Sequence, residues 1–201
     1  MYLFEHKSVY IHIPKTGGTS IRRVLRELPH VVDAGHSTLR QHAERFDLLH
    51  QRKNIKVEKG EWDDYKTFTI VRNPWDRLVS EWKWFTHVHP REAIKSRYRG
   101  MNFKKFADHF FHSKPFGDYR HRRPQVHFLY HNDNLIQHIY RFEELQQSFA
   151  SICDLLKISN NGLGHHYKSS REHYSIYYDT HTRKIVEDKW GADIDLLKYT
   201  F

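Results

Sequence analysis

The sequence predicts an α/β fold, a central mostly parallel sheet flanked by helices, and three observations predict it. Residues 9–28 run through a short apolar strand, a loop and an amphipathic helix, and residues 67–82 repeat that pattern. A third stretch of strand character, 135–142, precedes another helical stripe. Strands that alternate with helices call for right-handed crossovers, which place helices on the faces of a parallel sheet.

Val9, Ile11 and Ile13 alternate onto one face of the first strand, and Pro14 ends it because proline has no N–H for the ladder. From Thr19 the period lengthens: Ile21, Val24, Leu25 and Leu28 stand at i, i+3, i+4 and i+7, the stripe of an amphipathic helix that Pro29 closes. A second short strand is expected at 30–33, and Ser37 is the expected cap of a helix reaching residue 51. Residues 67–71 are rich in β-branched and aromatic types and read as a buried strand, broken at Asn73-Pro74. Trp75, Leu78, Val79 and Trp82 repeat the helical stripe. Residues 87–123 are basic and aromatic, with one helix expected at 102–111. Beyond the strand at 135–142, a helix carries Leu145, Phe149, Ile152 and Leu156, and a last helix is expected at 180–190.

A chain of 201 residues is served by one hydrophobic core, so a single domain spanning 1–201 is expected. Thirteen Phe, twelve Tyr and five Trp exclude a disordered chain. The net charge of +9, with 18 histidines that gain charge on mild acidification, points to an anionic partner. The one cysteine, Cys153, excludes an internal disulfide and a cysteine-based zinc site, and reads as a small core residue. Glu5, His6 and Lys7 stand where a signal peptide needs apolar residues, and no run of about 18 apolar residues occurs. The expectation is a soluble, cytoplasmic chain without a membrane span, although a catalytic domain freed of an anchor has the same appearance.

Residues 11–20, Ile-His-Ile-Pro-Lys-Thr-Gly-Gly-Thr-Ser, carry the most chemistry. Glycines between a strand and a helix let backbone N–H groups close on an anion, and the helix N-terminus favours negative charge. Lys15 adds a point charge, and Thr16, Thr19 and Ser20 add hydroxyls. In the Walker A loop the lysine follows the glycines, whereas here it precedes them. An ordinary tight turn is the plainer alternative. A second anion site is suggested by residues 69–80: Arg72 leaves the carboxyl end of a strand, where open α/β sheets bind ligands, and Ser80 lies two turns into the next helix. Equally, Arg72 and Arg77 can serve only to pair with Asp76 or Glu81. His87-x-His89 and His165-His166 lack nearby carboxylate or thiolate partners, so no metal is expected.

Together, Pro14 to Ser20 and the segment from Val71 to Arg77 with Ser80 resemble the PAPS-dependent sulfotransferases, specifically the carbohydrate (heparan sulfate) 2-O-sulfotransferase-like branch. Weaker likeness continues at residues 140–145, 166–170 and 195–201. The resemblance implies a P-loop-like sulfotransferase fold and transfer of a sulfuryl group from PAPS to an acceptor hydroxyl, leaving 3′,5′-ADP without a metal. It assigns Lys15, Thr16, Gly17, Gly18, Thr19 and Ser20 to the 5′-phosphosulfate, with Lys15 stabilising the leaving phosphate, and Arg72 and Ser80 to the 3′-phosphate. Lys168 and Ser170 complete the nucleotide site. His36, in Gly35-His36-Ser37, is the implied general base. His12 is its rival, expected as a strand residue to point away from the loop. Residues 87–123 become an acceptor-side insertion or lid, with Arg120, Arg122 and Arg123 as candidates for an acidic acceptor, preferably a glycan; a solvated basic face is the plainer reading of those three. Two other function classes remain open at this stage. A P-loop-type kinase would need magnesium, and a non-enzymatic binder of nucleic acid or another polyanion would bind with steep salt dependence; nucleic acid is not the expected partner.

Overall fold

The strand read at 67–71 is the middle of the sheet's parallel part. In the computed structural model, which describes residues 1–52, 61–89, 91–114, 119–163 and 172–201, it is β4 (Lys66–Val71). The other strands are β1 (Tyr2–Leu3), β2 (Ser8–Ile11), β3 (Val31–Val32), β5 (Tyr130–His131), β6 (Asn134–Leu135) and β7 (His138–Arg141). Five of them form one sheet in the order β3-β1-β2-β4-β7. Pairings β2/β4 and β4/β7 are parallel, while β1 runs antiparallel to both β2 and β3, so the sheet is mixed with a parallel centre. The helices are α1 (Gly18–Leu25), α2 (Leu39–Arg52), α3 (Pro74–Lys83), α4 (Glu92–Tyr98), α5 (Phe103–His112), α6 (Leu145–Leu156) and α7 (Thr180–Leu197).

The chain divides into two compact units, residues 1–71 with 127–168, and residues 72–126 with 169–201. In the first unit the strand alternation sorts side chains between two helical layers. Leu3, Tyr10, Phe68 and Ile70 join Ile21 and Leu25 of α1 and Phe149, Ile152 and Leu156 of α6 in one buried cluster, which also holds Cys153. Tyr2 turns the other way, its ring 4.7 Å from that of His42 and 6.3 Å from that of Phe46, both on α2. Each such fully buried large apolar side chain contributes about 1.5–3 kcal/mol relative to exposure.

Several expected boundaries shift for local reasons. The stretch at 135–142 divides: Asn132 and Asp133, both at positive φ, turn β5 into β6 as a hairpin, and only 138–141 enter the main sheet. Ser37 does not cap α2. Thr38 does: its Oγ1 accepts from the Gln41 N–H at 3.1 Å while Gln41 Oε1 accepts from the Thr38 N–H at 3.0 Å, a reciprocal capping box. The last helix runs past a kink at Trp190 (φ −125°) to Leu197.

The second unit packs α3, α5 and α7 together around a charged centre. Arg77, Glu81 and Asp193 are each fully buried. The Arg77 guanidinium donates to the carbonyls of Arg123 (3.0 Å) and His121 (3.1 Å) and lies 4.4 Å above the Trp190 ring. Asp193 accepts from the backbone N–H groups of Gln125 (2.7 Å) and Val126 (2.8 Å). His121 Nδ1 meets Glu81 Oε2 at 2.8 Å, and the His121 ring stacks on Trp84. Burial pushes the Asp193 carboxyl up and the Arg77 guanidinium down, and each charge opposes the shift of the other.

Candidate functional site

The loop from β2 to α1 is a tight turn with two left-handed residues that opens into an uncapped helix start. Lys15 (φ 66°) and Gly17 (φ 82°) both sit in the left-handed region, and α1 begins at Gly18 with neither a side-chain cap nor an acidic residue in its first turn. Its leading N–H groups and the positive end of its dipole therefore face no carboxylate from the helix's own first turn. Thr16, fully buried, shapes the turn by donating from Oγ1 to the Ile13 carbonyl at 3.0 Å. The two glycines have separate reasons. At Gly17 the positive φ combines with Phe142, whose Cδ2 would lie 2.9 Å from an added Cβ. At Gly18 an added Cβ would lie 2.0 Å from both Cδ2 and Nε2 of His12.

That contact corrects the expectation for His12. The His12 ring stays on the face of Tyr10, two residues before it, on which it stacks; that face carries α1, so the ring packs onto the loop instead of away from it. His36 arrives at the same place from residues 33–37. Asp33 is gripped by Arg22 of α1 and by Arg26 at the C-cap of that helix, and accepts from the Gly35 N–H at 2.9 Å. Burial alone would raise the Asp33 carboxyl, but the hydrogen bonds from Arg22, Gly35 and Arg26 hold it well below the usual carboxylate range. Ser37 closes the turn, its Oγ donating to the Ala34 carbonyl at 2.7 Å and accepting from Arg45 at 3.2 Å. His36 Nδ1 then lies 2.8 Å from the His12 carbonyl oxygen, and the two rings stand 4.1 Å apart. A carbonyl can only accept, so Nδ1 carries the proton and the neutral ring keeps its lone pair on Nε2.

In the second unit, Arg72 follows the last residue of β4 and is buried. Its backbone is held twice by Gln125, with Oε1 accepting from the Arg72 N–H (2.8 Å) and Nε2 donating to the Arg72 carbonyl (2.7 Å). Its Nε donates to Asp76 at 2.7 Å, the pairing that the plainer reading anticipated. Asn73 caps α3 through the N–H groups of Trp75 and Asp76, and Pro74 occupies the first helical position. One turn beyond Asp76, on the same helix face, stands half-buried Ser80. Arg77 is interior, not a surface partner. Arg122 donates to the Ser113 carbonyl at 2.6 Å, Arg123 is exposed over the Tyr119 ring, and Arg120 is half-buried. Lys168 and Ser170 lie outside the described residues.

The sequence reading missed the grip of Arg22 and Arg26 on Asp33, and the Asp193–Gln125 relay that seats Arg72. The first was signalled by Asp33-x-Gly35, an Asx-turn pattern, after arginines spaced i, i+4 in the last turn of α1 and at its C-cap. The second joins residues 53 and 68 positions apart and leaves no local trace. Among the described residues, no group of three or more His, Cys, Asp or Glu could hold a metal ion, and no helix is long and apolar enough to cross a membrane.

Comparison with known proteins places this geometry. Carbohydrate sulfotransferase 10 of Pongo abelii is 22% identical over 184 residues, covering 81% of this chain and 47% of the relative. Carbohydrate sulfotransferase 10 of Gallus gallus is 23% identical over 187 residues, with 81% and 46% covered. The chain thus spans about half the length of the curated relatives it matches. No solved structure gives a significant match. The sequence profile described as "Sulfotransferase family" matches residues 3–200, nearly the whole length, and the chain belongs to that family.

Proposed function

We propose that the protein is a sulfotransferase that moves a sulfuryl group from PAPS to an acceptor hydroxyl by in-line displacement. The observation that carries this reading is the pairing, within one compact unit, of a helix start lacking a side-chain cap with a histidine whose Nδ1 proton is held by the loop's own carbonyl. The loop fits a phosphosulfate: it offers backbone N–H groups, the hydroxyls of Thr19 and Ser20 and the ammonium of Lys15, and no carboxylate opposes them in the first turn of α1. PAPS, when bound, supplies the sulfuryl group and departs as 3′,5′-ADP.

Lys15 stabilises the charge that develops on the phosphate oxygen being vacated, a preorganised electrostatic contribution. Nε2 of His36 takes the proton of the attacking hydroxyl. The resulting imidazolium is supported through Nδ1–H by the His12 carbonyl, a dipole already in place. Thr16 keeps the loop in shape through Ile13, and Gly17 and Gly18 let the backbone approach. In this reading Arg72 and Ser80 hold the 3′-phosphate, and Lys168 and Ser170 complete the nucleotide site. The names of the relatives favour a carbohydrate acceptor. Acceptor contacts are assigned to residues 87–123, with Arg120 and Arg123 facing an acidic glycan and Arg122 anchoring that segment through Ser113.

The test is label transfer from [35S]PAPS to desulfated heparin and chondroitin, with and without EDTA. Labelled glycan formed equally in both conditions is expected. Magnesium-dependent phosphoryl transfer from ATP, with none from PAPS, overturns the assignment.

A further inference from the structure

The His12 side chain has no part in the reaction as proposed, yet it is buried and held from three sides. The ring is 5% exposed and seated against the Gly18 backbone so closely that an added Cβ would lie 2.0 Å from two of its atoms. On one side it stacks at 5.9 Å and 21° on the buried Tyr10 ring, and on the other the His36 ring lies 4.1 Å away at a 40° tilt. His36 therefore has two attachments to one residue: a hydrogen bond to the His12 carbonyl and ring contact with the His12 imidazole. A hydrogen bond at Nδ1 fixes that atom more firmly than the plane of the ring. A wall on one face fixes the plane as well, and catalytic groups displaced by about 1 Å lose about a hundredfold in rate.

We propose that His12 is the positioning residue of the base: its carbonyl selects the Nδ1–H form of His36, and its imidazole, wedged between Gly18 and the His36 ring, aims Nε2 in one direction. The inference rests on His36 being the base. Gly18 gains a second reason to be glycine, because only an unsubstituted Cα admits the wedge. The role belongs to the shape of the ring more than to its nitrogens, so an aromatic of similar size can replace it.

The deciding experiment is 15N side-chain NMR of the free protein with labelled histidine, on the wild type, His12→Phe and His12→Ala, with His36→Ala to assign the signals. The wild type and both His12 variants are expected to give His36 as the Nδ1–H tautomer, since residue 12 keeps its carbonyl in each, whereas relaxation of the His36 ring signals should show one fixed orientation in the wild type and His12→Phe and a mobile ring in His12→Ala. A second arm measures transfer from PAPS to desulfated heparin together with the 3′,5′-ADP dissociation constant. His12→Ala should lower kcat about tenfold or more with nucleotide affinity within about threefold, His12→Phe should recover most of the rate, and His12→Ala should add nothing to His36→Ala. A His36 ring as rigid in His12→Ala as in the wild type overturns the proposal, and so do independent, multiplying effects in the double variant. If His36→Ala transfers at the wild-type rate, the base assignment fails instead, while the NMR result still decides whether His12 positions that ring.

Discussion

Replacing Gly18 with alanine sets two magnitudes against each other. Gly18 is the first residue of α1 and its φ lies outside the left-handed region, so helix propensity favours alanine by up to about 1 kcal/mol. Against this, the added methyl would stand 2.0 Å from Cδ2 and Nε2 of His12. Non-bonded carbons rest about 3.5–4.0 Å apart, so the ring must retreat by about 1.5 Å. Tyr10 and His36 flank it, and it is 5% exposed, so the retreat is resisted. Overpacking costs about 1–3 kcal/mol, and with the ring held on both sides the upper half of that range applies, about 2–3 kcal/mol, so the clash wins by about 1–2 kcal/mol. For a chain of this size the thermal midpoint should fall by about 2–8 °C. Thermal and urea denaturation read the loss, and the same substitution in a His12→Ala background, where the obstructing ring is gone, should be neutral or stabilising. A Gly18→Ala protein as stable as the wild type refutes the reasoning, and so does an equal penalty in both backgrounds.

Lys15→Ala should lower kcat by about two to three orders of magnitude, as loss of one preorganised charge-stabilising group does, and steady-state transfer assays check it. Arg77→Met should destabilise the protein by about 3–5 kcal/mol in urea denaturation, because Glu81 and Asp193 stay buried without their cation; a loss below about 1 kcal/mol contradicts the account. Asp33 has a folded-state carboxyl held far below its unfolded value, so its stabilisation is complete above about pH 4 and fades as the pH falls further. Asp33→Asn should therefore be less stable than the wild type at pH 7, with the gap closing in acid; a gap independent of pH between 7 and 3 rules out the ionic grip of Arg22 and Arg26.

Long periodic elements were legible in the sequence, and short or non-local features were not. Ile21 and Leu25 marked α1, Leu78 and Val79 marked α3, and Phe149 and Ile152 marked α6, because each stripe spans two turns or more. β1 has two residues, too few for alternation to register, so the antiparallel part of the sheet went unseen. The cap of α2 was readable: the residue three places after Thr38 is Gln41, which completes a capping box, whereas the residue three places after Ser37 is Arg40. Arg77 looked like a surface charge because its partners at His121, Arg123 and Asp193 are 44 or more positions away in sequence. The glycine turn from strand to helix at Lys15–Ser20 was legible because glycine position is local. The direction of the His12 ring was not, since it depends on which face of β2 is covered by α1, the face of Tyr10.

The central claim is that the turn leaving β2 binds the phosphate end of an adenosine 3′,5′-bisphosphate. Calorimetric titration of the wild type and Ser20→Ala with 3′,5′-ADP, in EDTA and with ADP as control, tests it most directly. The account predicts one tight site for 3′,5′-ADP in the wild type, weaker binding of ADP, and an affinity for 3′,5′-ADP about tenfold lower in Ser20→Ala, the effect of one lost hydrogen bond to a charged group. No heat of binding for 3′,5′-ADP, or an affinity that Ser20→Ala leaves unchanged, contradicts it.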